Sequence, residues 1–178
     1  MRKISSMMRT FGSALTILLL AEGCIACTSN CQNQRLPLTT DPALTIELSS
    51  KFHCERTPAP IPYSLSHHRA CWDTVFVVFE GSELAIEVGV YLNGVEPDII
   101  YIFVKIPDDQ WDRYLRSYIR VLESTPGWEL VEQGKILEEE GPLPLKGNLA
   151  RSTCYGIGYE VSKYRTGTEI LIDGWRRK

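Results

Sequence analysis

Polar and apolar residues alternate strictly through Leu44-Thr45-Ile46-Glu47-Leu48, a period of two that predicts a strand with one buried face. Residues 55–66 carry Pro58, Pro60 and Pro62. Proline lacks the amide donor a central strand needs, so this segment is expected to be irregular or to lie at a sheet edge. Asp73–Phe79 is dense in β-branched and aromatic side chains and reads as a strand, turned by Glu80-Gly81-Ser82. Glu83–Leu92 reads as a second strand. Asn93-Gly94 supplies the residue pair that most readily takes positive φ in a tight hairpin, and Asp98–Ile106 returns. The three strands form an antiparallel meander.

Beyond Ile106 the period changes from two to 3.6. Pro107-Asp108-Asp109 is expected to open a helix over 108–124, with an aspartate capping its free amides and complementing its dipole. Trp111, Tyr114, Leu115, Tyr118 and Leu122 fall on one face, with Asp112, Arg113, Arg116, Arg120 and Glu123 away from it. Thr125-Pro126-Gly127 stops the helix. An aromatic stripe of this kind is expected to be core, packed on the meander. Trp128–Val131 begins another strand, residues 138–148 read as a solvated turn and loop, and Ser152–Val161 and Thr168–Asp173 read as two last strands joined over Lys163–Gly167. The fold class is α+β: a mainly antiparallel sheet of six or seven strands with one principal helix on a face.

The first segment has a different character. Arg2, Lys3 and Arg9 precede eleven uncharged residues, Phe11–Ala21, and Glu22 ends the run. A helix needs about 20 apolar residues to span a bilayer. A basic start, a short apolar middle and small residues after it describe an export signal. The organisation expected is a signal over 1–26 cut before Cys24 or Cys27, a polar tether over 27–43, and one α+β domain over 44–178. The stretch Ala21-Glu22-Gly23-Cys24-Ile25-Ala26-Cys27 resembles the lipobox of bacterial lipoproteins. Cys24 has Gly23 before it but Glu22 one place back; Cys27 has Ile25-Ala26 before it but Cys24 where leucine is usual. The resemblance implies lipidation of Cys24 or Cys27 as the mature N-terminus. Neither Ile25 nor Thr28, which would follow it, is the aspartate that retains such lipoproteins at the inner membrane, so the resemblance implies an outer-membrane anchor facing the periplasm. Plain cleavage at Ala21-x-Gly23 or Cys24-x-Ala26 is the alternative.

Export changes how the six cysteines are read, because disulfides persist in an oxidising compartment. Cys31, Cys54, Cys71 and Cys154 are the candidates. Cys54 with Cys71 is the favoured pair, since the two bracket the proline-rich loop. Charge adds an exclusion. The chain carries a net −3, and losing Arg2, Lys3, Arg9 and Glu22 (three positive charges and one negative) leaves about −5. A nucleic-acid partner needs lysine and arginine to replace phosphate counterions, so none is expected.

Candidate chemistry is sparse. His67 and His68 beside Cys54 and Cys71 could be read as zinc ligands, but the spacing fits no finger and export favours a disulfide, so no metal is expected. Cys154 with a histidine could form a nucleophile and base. Asp108-Asp109 could act as paired carboxylates, but helix capping explains them. There is no Gly-x-Ser-x-Gly, no His-Glu-x-x-His and no phosphate-cradling glycine loop, and neither an enzyme nor a cofactor is expected. The residues expected to meet a partner are Tyr63, His67, His68 and Arg69, in a loop on a rigid sheet. The function expected is protein binding in the envelope, as a periplasmic inhibitor or immunity-type protein. An assembly accessory of an envelope complex ranks second, and a hydrolase or metal protein using Cys154 or His67/His68 ranks third.

Overall fold

The structure is a computed structural model, and it describes residues 34–48, 57–58, 63–131 and 143–177. Three long strands follow one another from the proline-rich segment: β4 (Arg69–Phe79), β5 (Ser82–Asn93) and β6 (Glu96–Ile106), after β1 (Arg35–Pro37), β2 (Thr45–Glu47) and β3 (Thr57–Pro58). The helix α1 (Trp111–Ser124) is next, then β7 (Glu129–Leu130), β8 (Leu145–Arg151), β9 (Tyr155–Tyr164) and β10 (Gly167–Arg176). The main sheet has the order β3-β4-β5-β6-β10-β9-β8-β7, antiparallel throughout. It holds six substantial strands, with two-residue strands at both edges. The chain thus builds one meander outward to β6, crosses by α1 to the far edge, and builds a second meander back until β10 meets β6. β1 and β2 form a separate two-stranded sheet.

The fold class is the α+β arrangement read from the pattern, and the stripe on α1 does become core. Tyr114, Leu115, Tyr118 and Leu122 are buried, with Trp111 partly buried against them. They pack on the inward face of the sheet, where Ile86, Val104, Ile170 and Val161 lie in one cross-strand row. Leu36, Leu38, Ile46 and Leu48 of the small sheet join the same core. Tyr118 donates its hydroxyl to the Pro37 carbonyl at 3.0 Å, and the Trp128 indole donates to the Arg35 carbonyl at 2.7 Å. One face of the main sheet is therefore roofed by α1 and the β1–β2 hairpin.

Four expectations differ from what is seen. The tether over 27–43 gives way to folded structure in its described part: β1 forms there, and Leu36 is completely buried. Only a few apolar residues are needed for that, once the β2 partner strand and α1 supply the surface they cover. The loop over 142–148 becomes most of β8, which turns its charged residues Lys146 and Arg151 to solvent and kinks at a bulge between Asn148 and Ala150. The β5–β6 turn is centred on Gly94-Val95, since Asn93 pairs with Glu96; Gly94 takes φ +72°, a conformation glycine adopts without penalty. The helix starts at Trp111, not 108, with Gln110 as an N-cap that makes no side-chain capping bond. Asp108 lies too far upstream to cap; it accepts from Thr168 at 2.7 Å and pairs with Lys163 at 2.8 Å, tying the helix entrance to the β9–β10 turn.

Candidate functional site

The outward face of the main sheet differs from the inward one. Cross-strand register places Trp72 on β4, Glu87, Gly89 and Tyr91 on β5, Tyr101 and Phe103 on β6, and Leu171, Asp173 and Trp175 on β10 on this second face. Among the described residues no helix lies on it. Tyr91 is buried, but Trp72, Tyr101, Phe103 and Leu171 are partly open, Trp175 is 37% exposed, and Phe76 and Val78 are 65% and 74% exposed at the β4–β5 end. A strand alternates its side chains, so these residues follow from the same register that buries Ile86 and Ile102.

The aromatic rings form a connected strip. Trp72 meets Phe103 at 5.8 Å between centroids, Phe103 meets Tyr101 at 6.1 Å, and Tyr101 meets Tyr91 edge-on at 5.7 Å. Two indoles lie flat across neighbouring strands because glycine leaves them room. The Trp72 ring covers Gly89, and the Trp175 ring covers Gly156 and reaches Gly158; a methyl group at Gly89 or Gly156 would overlap the ring above it. Asp173 stands beside the strip, opposite Tyr101 on β6, with Oδ1 over Gly158. Burial, and then the nearby Glu160 carboxylate, push the Asp173 carboxyl above the usual range. Burial, and then Asp173, push the Tyr101 phenol up. Glu83, Glu87, Glu160 and Glu169 share this face with Asp173, against Lys105 and Lys146; a Glu129–Arg151 pair at 2.9 Å adds no net charge.

The loop residues picked from sequence are placed differently from one another. Tyr63 begins a short 3-10 turn, Tyr63–Leu65, and its side chain lies outside the described residues. His67 and Arg69 are exposed. His68 points inward, 4% exposed, with Nε2 2.8 Å from Asp98 Oδ2 and the His67 ring 3.7 Å away. Its role in this structure is to hold the loop to β6. Cys71 and Cys154 are both disulfide-bonded. Four strand spacings, roughly 19 Å, separate β4 from β9, too far for these two cysteines to bond each other. Each takes its partner elsewhere, and the other two candidates, Cys31 and Cys54, lie outside the described residues, as do Cys24 and Cys27. A nucleophilic Cys154 needs a free thiol, so the disulfide removes that reading. Among the described residues no group of three His, Cys, Asp or Glu is placed to hold a metal ion.

The outward aromatic strip was not picked out from sequence as a site. Its trace is there: Ile99–Val104 is apolar or aromatic at every position, not at every second one. That pattern says both faces of β6 are apolar without saying which one is roofed. The chain matches no family model, no curated protein and no solved structure, so the site stands on its geometry alone.

Proposed function

We propose that this is an exported envelope protein, lipid-anchored through Cys24 or Cys27, that works by binding another protein, as an inhibitor or immunity-type protein does, and that the outward sheet face is its binding surface. The observation that carries the reading is the strip Trp72–Phe103–Tyr101 with Phe76, Val78 and Trp175 around it, unroofed by any described helix. Monomeric proteins rarely expose contiguous apolar surface without a use for it. Tryptophan and tyrosine are the residue types that dominate interface energetics, because they bury much area with little loss of side-chain freedom. The Trp72 and Trp175 indoles are also seated in advance over Gly89 and Gly156, so little ordering of these two rings is left for the binding step. Disulfide bonds at Cys71 and Cys154 fit an oxidising compartment.

The test is positional. A photo-crosslinking residue replaces Phe76 or, as a control, Arg120 on the exposed side of α1, in cells making the full chain. An adduct from position 76 and none from 120 is expected. Adducts from 120 alone, or from neither, remove the sheet face as the binding surface. The anchor is tested apart from it: mass spectrometry should find an acylated cysteine at the mature N-terminus, and an unmodified peptide beginning at or beyond Cys24 removes it.

A further inference from the structure

We infer that the partner at this face is a basic protein, and that Asp173, flanked by Tyr101 and Trp175, seats one of its protonated amine or guanidinium side chains. The inference rests on the reading of the outward face as a docking surface and adds the chemistry of what docks. The first ground is charge: five carboxylates against two lysines remain on this face once the Glu129–Arg151 pair is set aside. Patches of one sign steer and select partners of the other.

The second ground is the local geometry. Tyr101 lies directly opposite Asp173 across the β6–β10 pairing, and Trp175 follows two residues along on the same face. A carboxylate beside two π-systems provides both a counter-ion and the electron-rich surfaces that attract a cation. Asp173 is half-buried with Glu160 nearby, so its charge is poorly solvated and adds to a like charge. Among the described residues no cationic side chain pairs with it; Lys105 leans to Glu87, at 4.0 Å, and Arg151 to Glu129. The Coulomb attraction of an incoming cation would offset both penalties. A neutral glycan could stack on the same rings but would draw nothing from the face's net charge, and this favours the basic protein.

The mature chain with its disulfides intact can be titrated with hexa-arginine, hexa-glutamate and chitohexaose while backbone and indole N–H signals are followed by NMR. Hexa-arginine is expected to shift the Trp175 indole and the β10 amides. Binding should weaken as salt is added, and roughly fivefold in Asp173→Asn, while Glu123→Gln on α1 leaves it unchanged. Hexa-glutamate and chitohexaose should leave these signals in place. Shifts produced by chitohexaose in place of hexa-arginine, or a hexa-arginine affinity that Asp173→Asn does not alter, overturn the inference. Glu160→Gln is a second variant should Asp173→Asn fold poorly: it removes part of the negative field and should weaken hexa-arginine binding in the same sense. Failure here is separable from failure of the docking reading. A position-76 adduct that persists at full yield in Asp173→Asn keeps the face and removes the cation seat, whereas loss of the adduct in the unaltered chain removes both.

Discussion

Asp173 is the residue whose environment works against its charge. Its folded pKa lies above the ordinary aspartate value because burial and the Glu160 carboxylate both penalise the ionised form. The linkage sign follows: below the unfolded pKa the group is neutral in both states and costs nothing, and as pH rises through the raised folded pKa the fold is destabilised. Asp173→Asn should therefore match the parent chain in melting temperature at about pH 3 and exceed it at neutral pH. A lower melting temperature at neutral pH would show that the carboxylate stabilises the fold. On the proposed reading of this face, that gain is the usual trade at a recognition surface. Asp108 has the opposite sign. Hydrogen bonds from Lys163 and then Thr168 hold its carboxyl below the ordinary range, so its contribution is present above the unfolded pKa and lost as pH falls through the folded one. Melting curves across pH 2 to 6 should show a shallower acid decline in Asp108→Asn than in the parent. His68 shows how a residue type misleads: a histidine next to another in a polar loop looks like surface chemistry, yet it is buried against Asp98.

At the scale of elements, α1 ties the molecule together. It carries the chain from β6 at the sheet centre to β7 at its far edge, and its buried stripe roofs the inward face. It has no side-chain N-cap bond, so packing more than local capping holds it. Leu122 near its end is fully buried, and Leu122→Ala should cost about 2–5 kcal/mol in chemical denaturation. A loss below about 1 kcal/mol would mean that the helix end is not packed as described. The Glu80–Arg113 pair at 2.8 Å links the β4–β5 turn to the same helix, but both groups are solvated, and such pairs contribute little. The two indole-over-glycine contacts are element-scale features too. They need a strand that carries glycine beside a strand that carries tryptophan, in one register, and no single strand's composition announces that.

For the whole molecule, the two disulfide-bonded cysteines sit near the same end of the sheet, Cys71 on β4 and Cys154 just before β9. Losing a native disulfide from a small exported domain costs about 2–5 kcal/mol. Reduction should lower the melting temperature accordingly, and Cys154→Ser should reproduce part of the drop without added reductant. A melting temperature indifferent to reductant would show that neither bond constrains the fold. The charge balance belongs to this scale as well: a net −3 over the chain says little by itself, while the excess of carboxylates on the face that no described helix covers gives it a direction.

Period, turn chemistry and the helical stripe were enough to find the β4–β6 meander, α1 with its buried residues, and the last two strands, because each is decided by contacts between residues close in sequence. The basic and apolar character of the first segment and the cysteine set are likewise properties of the sequence. Strand order was not legible: β10 lies beside β6 only because the second meander is laid inward from the far edge, a contact between residues more than sixty positions apart. The folding of Leu36 and Leu38, and the conversion of 145–148 from loop to strand, also depend on distant partners. The candidate site belongs wholly to this second class. An aromatic strand can be apolar on both faces, and only the placement of α1 and the β1–β2 hairpin decides which face they roof and which, among the described residues, no helix covers.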